Sequence, residues 1–227
     1  MNTETLKDII DWDTVNWSKA LKYWEDNVNL ENKNLKCLEV GGRKGGLALW
    51  LAMKGNSVVC SDLESPEKFA NEVHEKYECK TLIQYQAIDA TNIPYENSFD
   101  IVAFKSVLGG ISRNNNDALK QKTINEIYKA LKDNGVLLFA ENIESSFFHR
   151  IVRKYFVEWG NEWNYLKVNE VENLFSSFKS VNYITVGFWG AFGRTEKQRT
   201  ILGRFDRLFE AIVPKGKRYI LIGVAKK

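Results

Sequence analysis

The chain has 227 residues, long for one average domain and short for two, and is 44% hydrophobic and 13% aromatic, which excludes a disordered chain and predicts a single packed α/β domain with local additions. Met1–Asp13 carries acids, and no apolar run in the sequence suits a secretory signal or a membrane span, so a cytoplasmic protein is expected. The net charge of +3 is uneven: residues 1–145 hold 17 Lys/Arg against 22 Asp/Glu and residues 146–227 hold 15 against 7, so the basic excess favours an anionic partner such as a phosphate-bearing substrate, a membrane surface or nucleic acid.

In chain order, Trp17–Val28 reads as an amphipathic helix with Trp17, Leu21, Trp24 and Val28 on one face. Apolar strand runs then alternate with helix-period stretches: strand Leu35–Val40, helix Leu47–Met53, strand Ser57–Cys60 running on to Asp62, helix Pro66–Tyr77, strand Ile83–Ile88, strand Phe99–Phe104, helix Asn116–Leu131 and strand Gly135–Ala140. This order predicts five parallel strands with helices on both faces. After Glu141 the texture changes to a basic, aromatic helix Phe147–Trp159, a shorter helix Val168–Phe175 and a strand Val181–Phe188. An insertion, Trp189–Lys217, follows with a helix Thr200–Val213 stopped by Pro214, and Tyr219–Ala225 closes the chain as a strand paired antiparallel at the sheet edge. The division expected is a helical cap over 1–34, a ligand-binding core over 35–145 and acceptor-side additions over 146–227. Cys37, Cys60 and Cys79 lack the spacing of a zinc site and read as core packing, and no metal is expected.

The residues that carry chemistry lie at strand ends. Glu39-Val40-Gly41-Gly42-Arg43-Lys44-Gly45-Gly46 places a glycine cluster where the first strand turns into the first helix, the place where an open α/β sheet binds its ligand. The dinucleotide pattern fails because Arg43 takes the second glycine position, and Glu39 suits a cationic ligand better than a pyrophosphate. Asp62 ends the second strand, where an acid can accept from both ribose hydroxyls, and Asp89 ends the third, where one can accept from the adenine amino group. Taken singly, either acid could instead cap a helix.

Glu39-x-Gly41, Asp62, Asp89-Ala90, the run Ile93–Val102 and Ile127–Gly135 resemble successive motifs of class I S-adenosylmethionine-dependent methyltransferases, over residues 35–142. The resemblance implies a Rossmann-like, doubly wound seven-stranded sheet, mostly parallel with an antiparallel C-terminal edge pair, and S-adenosylmethionine as cofactor. It further implies that Glu39, Gly41 and Gly45 surround the methionine part, that Asp62 holds the ribose, that Asp89 and Ala90 flank the adenine, that Lys105 and Ser106 line the cofactor near the methyl group, and that Gly42, Arg43 and Leu63 belong to the same cofactor site. Gly109-Gly110 stands where many relatives carry histidines, so the pair offers no base. More loosely, the C-terminal part resembles methyltransferases associated with bacterial surface-polysaccharide synthesis, which implies a saccharide or other small-molecule acceptor.

Methyl transfer from a sulfonium needs alignment and exclusion of water, and a base only when the acceptor is a hydroxyl. His149, just past the fifth strand, is the histidine candidate, with Glu141 and then Glu144 behind it, whereas His74 is expected on a helix surface. Phe147–Tyr165 mixes Arg150, Arg153 and Lys154 with aromatics, which suits a lipid-linked, phosphate-bearing glycan at the inner membrane face. Two rival classes stay open: a nucleic-acid, chiefly RNA, methyltransferase, supported by the basic C-terminal part, and a non-catalytic cofactor-binding module. An NAD-dependent oxidoreductase is disfavoured by the broken glycine pattern.

Overall fold

The computed structural model describes residues 1–31, 34–156 and 162–227. Seven strands form one sheet: β1 (Lys36–Val40), β2 (Ser57–Asp62), β3 (Ile83–Ala87), β4 (Phe99–Lys105), β5 (Leu131–Asn142), β6 (Ser180–Val186) and β7 (Ile220–Lys226), in the order β3-β2-β1-β4-β5-β7-β6. The first five are mutually parallel, and β7 runs antiparallel to both β5 and β6. β6 therefore points the same way as β5, and everything that follows β6 leaves the sheet at the end where the ligand crevice lies.

Alternation along the strands explains why both faces must be covered. Cys37, Ala103 and Leu138 enter one apolar cluster with Trp17, Trp24 and Trp50, while their neighbours Leu38, Phe104 and Phe139 enter a second one with Ile124, Ile127 and Phe175. The first face is covered by α4 (Gly46–Ala52), whose seven residues are all buried, and by α3 (Lys19–Asn27), where Trp24 Nε1 donates to Gly223 O at 3.0 Å; the second is covered by α7 (Asp117–Ala130). This is the doubly wound, Rossmann-like arrangement with an antiparallel edge pair. All three cysteines are buried and unpaired.

Several boundaries differ from expectation. Within the helical cap expected over 1–34, residues 3–10 form a separate helix, α1 (Thr3–Ile10), capped by Asn2, whose Oδ1 accepts from Thr5 N at 2.8 Å. The helix expected over Trp17–Val28 is broken at Ser18 into α2 (Thr14–Trp17) and α3, although Trp17, Leu21 and Trp24 are buried as the stripe required. β5 starts at Leu131, four residues before Gly135, because a register shift between Phe99 and Ile101 lets Leu131 pair with Phe99. α5 (Glu67–Lys76) and the short α6 (Leu108–Ile111) follow β2 and β4.

In the C-terminal part, α8 spans Phe147–Phe156, and Trp159 lies outside the described residues. A 3-10 turn, Val168–Glu170, precedes α9 (Val171–Leu174), and another, Trp189–Phe192, precedes α10 (Glu196–Phe209). α10 begins a turn earlier than the helix expected from Thr200, because Thr195 Oγ1 accepts from Gln198 N and the Gln198 side chain accepts from Thr195 N. Among the described residues no helix is long and apolar enough to cross a membrane.

Candidate active site

The carboxyl ends of β1, β2 and β4 and the loop after β3 open onto a cavity of about 890 Å³, a size that suits a nucleotide-like ligand. Glu39, Gly41, Gly42, Arg43, Asp62, Leu63, Asp89, Ala90, Lys105 and Ser106 all line it. The strand tips expected to converge therefore do so.

The glycine bend is shaped by close contacts. Gly41 has φ +67°, and a methyl group there would lie 2.6 Å from Val107 Cγ2; one on Gly46 would lie 2.0 Å from the Ile9 carbonyl oxygen. Only glycine allows α1 and α4 to approach so closely. Arg43, in place of a further glycine, adopts φ +48°, and its N–H donates to Asp62 Oδ2 at 2.8 Å. That bond ties the bend to the tip of β2 and offsets part of the left-handed strain. Gly45 does not line the cavity: it has φ +69° at the start of α4, and its carbonyl accepts from His74.

Glu39, expected near a cationic ligand, lines the cavity with its carboxylate already engaged. It is 3% exposed, with Oε1 accepting from Leu47 N and Oε2 from Ala48 N, each at 3.0 Å, and with Cys60 Sγ at 3.3 Å from Oε2. Its first task is to cap α4. Burial pushes its pKa up to about 7, against those hydrogen bonds and the nearby Lys105 charge, which favour the carboxylate. Asp62, half-buried, also accepts from Leu63 N at 2.7 Å, and exposed Asp89 accepts from Thr91 N and Oγ1 at 2.8 Å.

Lys105 ends β4 with its ammonium 5.0 Å from the centroid of Trp12 and 5.1 Å from that of Trp17. Burial lowers its pKa to about 8; Asp11, Glu39 and Glu141 oppose the shift and Arg43 adds to it. The N-terminal stretch Asp8–Trp12 forms part of the cavity wall, as do Arg113 and Trp163, none of which the sequence reading had placed there. Asp11 also pairs with Lys44 at 2.8 Å. A methyl group on Gly109 would lie 1.8 Å from Trp163 Nε1, so the indole fills the room beside the glycine pair.

The expected bases are displaced. His149 is 1% exposed and does not line the cavity; its Nε2 lies 2.9 Å from Phe188 O and its Nδ1 2.7 Å from Ser146 Oγ. Burial lowers its pKa to about 4, so the ring is neutral: Nε2–H donates to the carbonyl, and the only basic nitrogen accepts from the serine. It has neither access nor a lone pair to spare. Glu141 is fully buried outside the cavity, accepting from Val107 N and Leu108 N at 2.8 Å and from Asn142 N at 2.9 Å. Burial pushes its pKa up to about 7 against those bonds, and its task is to hold the start of α6. Glu144 faces Arg150 at 3.4 Å, away from the cavity. His74, expected at the surface, is fully buried; its lowered pKa keeps the ring neutral, with Nε2 donating to Gly45 O at 2.9 Å and Nδ1 accepting from Tyr85 Oη at 2.8 Å. It braces the glycine bend from behind. Among the described residues no group of three or more His, Cys, Asp or Glu side chains could hold a metal.

Residues 38–139, spanning β1 to β5 and carrying Glu39, Asp62 and Asp89, match a family model described as a methyltransferase domain. No curated protein matches the chain in sequence. Among solved structures, the chain is similar to a phosphoethanolamine N-methyltransferase 2 of Haemonchus contortus, in complex with phosphomonomethylethanolamine and S-adenosylhomocysteine, at 16% identity and TM-score 0.61, over 93% of this chain and 52% of that one. It is similar also to a geranyl diphosphate C-methyltransferase of Streptomyces coelicolor, at 11% identity and TM-score 0.63, over 93% and 79%. A third similarity, at 14% identity and TM-score 0.63 over 92% and 80%, is to the cyclase SpnF, so the fold alone does not fix the reaction. The family match, on the segment that carries most of the cavity wall, is what supports an S-adenosylmethionine-dependent methyltransferase.

Proposed function

We propose that this protein transfers a methyl group from S-adenosylmethionine to a hydroxyl of a small-molecule acceptor, and that the acceptor is a saccharide carried on a phosphate-bearing lipid. The observation that carries the cofactor reading is the convergence of Glu39, Asp62 and Asp89, from successive strand ends, on one cavity with the Gly41-Gly42 bend among them. The donor set fits: a carboxylate at Asp62 accepts from paired ribose hydroxyls, one at Asp89 accepts from an adenine amine, and a wall bearing Asp8, Asp11 and Glu39 suits a ligand with an ammonium and a sulfonium. When bound, the cofactor supplies a methyl group already activated by positive sulfur. The chain's own residues then have to align the acceptor and exclude water, for which Trp12 and Trp163 stand on the wall.

With His149 and Glu141 engaged elsewhere, proton removal from a hydroxyl falls to Lys105, which lines the cavity and whose pKa of about 8 lets a useful share be neutral near physiological pH. The acceptor part of the proposal is supported by the basic excess of residues 146–227 and by the looser resemblance of that part to polysaccharide-associated methyltransferases. It implies a cytoplasmic protein working at the inner membrane face. Calorimetric titration with S-adenosylmethionine and S-adenosylhomocysteine tests the cofactor reading: saturable one-site binding of both is expected, and no binding of either would overturn it. Turnover assayed on saccharides linked to a lipid diphosphate then separates an enzyme from a non-catalytic module.

A further inference from the structure

α10 is amphipathic the wrong way round for a helix that packs on a core. Ile201, Phe205, Leu208 and Phe209, followed by Ile212 just past its end, recur at helical spacing, yet all are exposed, Leu208 at 71% and Ile212 at 75%. The opposite face holds Gly203, where a methyl group would meet Val15 at 2.9 Å, and Asp206, which is 1% exposed. Polar bonds fasten this helix. Asp206 accepts from Phe188 N at 2.9 Å, Trp189 N at 2.7 Å, Gly190 N at 3.1 Å and Asn16 Nδ2 at 2.8 Å, and Glu196 accepts from Asp13 N at 2.7 Å and Thr14 N at 2.8 Å. Folding thus leaves the apolar stripe unused.

α8 repeats the plan. Phe147, Phe148, Ile151 and Tyr155 are exposed, Phe148 at 66% and Tyr155 at 68%, while His149 turns inward against Phe188 and Phe192, with ring centroids 4.8 and 4.6 Å away. Both helices therefore grip the same 3-10 turn, Trp189–Phe192, whose Trp189 is itself 40% exposed. Around the stripes stand exposed Arg150 and Lys154 on α8, Lys197, Arg204 and Arg207 on α10, and Lys215 and Lys217 beyond it. α8 carries no acid, and the acids of α10, Glu196 and Asp206, are spent on the anchoring bonds.

We infer that the outward stripes of α8 and α10, with Trp189 of the turn they share, form a docking surface for an anionic lipid bilayer. Apolar side chains on two helices ringed by cations match an acyl boundary beneath negative headgroups, with Trp at the interface. A second copy of this chain would meet the same cations with its own. Both helices follow strands that end at the cavity side of the sheet, so docking turns the acceptor entrance toward the lipid. The surface stands on its own exposure and charge, whether or not the cavity takes S-adenosylmethionine, and its test is separate from the cofactor titration.

The experiment is co-sedimentation of the full chain with phosphatidylcholine vesicles with and without phosphatidylglycerol, at low and high salt. The protein is expected to pellet with the phosphatidylglycerol vesicles, to stay in solution with phosphatidylcholine alone and to be released by salt. Leu208→Glu with Ile212→Glu is expected to cut the bound fraction about tenfold while leaving the melting temperature and the S-adenosylmethionine titration unchanged; Phe148→Glu tests α8 separately. Wild-type protein that stays in solution with both vesicles, or pellets equally with both, overturns the inference. So does a dimer in light scattering that the same double variant converts to monomer.

Discussion

Glu39 and Asp206 are both buried carboxylates that gather backbone N–H groups, yet the regions around them follow opposite plans. Near Glu39 every residue of α4 is buried, so apolar packing holds the helix and the carboxylate only caps its first turn behind the bend. Near Asp206 the apolar side chains of α10 face outward, and the carboxylate is itself the fastening. An internal acid can thus tune a site inside a finished core, or replace the core as the means of attachment and free the hydrophobic residues for another use. Variants should accordingly separate the regions: ligand binding should suffer in the first and stability in the second.

The largest effect is expected at Lys105. Lys105→Met should lower turnover about 10²- to 10⁴-fold and abolish the rise of rate toward a pKa of about 8, while cofactor affinity stays within about threefold. A wild-type pH profile without that rise, or a fully active variant, would remove the base assignment. The folded protein binds this proton less tightly than the unfolded chain, so wild-type stability relative to the variant should increase as pH climbs from about 8 to 10.5, read by denaturant titration.

Next comes Asp206→Ala, which strips the partners from three backbone N–H groups and the Asn16 amide and should cost about 3 kcal/mol of stability. Below its melting range the variant should still bind S-adenosylmethionine normally; lost binding without lost stability would reverse the proposed division. Asp62→Ala is the mirror case. Affinity should fall about thirtyfold, or ~2 kcal/mol, by calorimetry, with stability changed by less than about 1 kcal/mol.

The smallest effect concerns Asp13, which is 1% exposed and accepts a hydrogen bond from Tyr219 Oη. Burial pushes its pKa to about 7 from 3.8, against that bond, so the folded state holds the proton more tightly and stability is lost as pH rises through that window. Asp13→Asn should flatten part of the decline in melting temperature between about pH 4 and 7, the remaining slope belonging to Glu39 and Glu141. An unchanged slope would place the titration elsewhere.

Parallel strands buried on both faces leave long apolar runs with acids at their tips, which is why Glu39, Asp62 and Asp89 could be read directly from the chain. Neighbourhoods set by distant contacts could not. Nothing near Trp12 announces that it will lie over Lys105, and the spacing of Ile201, Phe205 and Leu208 reveals a stripe without revealing which way it points. His74 was misplaced for the same reason, although its partnership with buried Ala70 one turn earlier was a usable signal. The Thr195–Gln198 capping box was another, and it marks the true start of α10. His149 and Glu141 sit near the expected place in sequence, but the engagement of their polar atoms depends on Phe188, Ser146 and Val107, which only the folded chain brings to them.

The indole wedged against Gly109 and Gly110 couples three positions sterically. Any histidine introduced at 109 collides with an aromatic ring 1.8 Å from its first carbon, so it can be accommodated only after Trp163 has shrunk. A side chain at 109 and the indole at 163 thus exclude one another, and one substitution alone cannot exchange them.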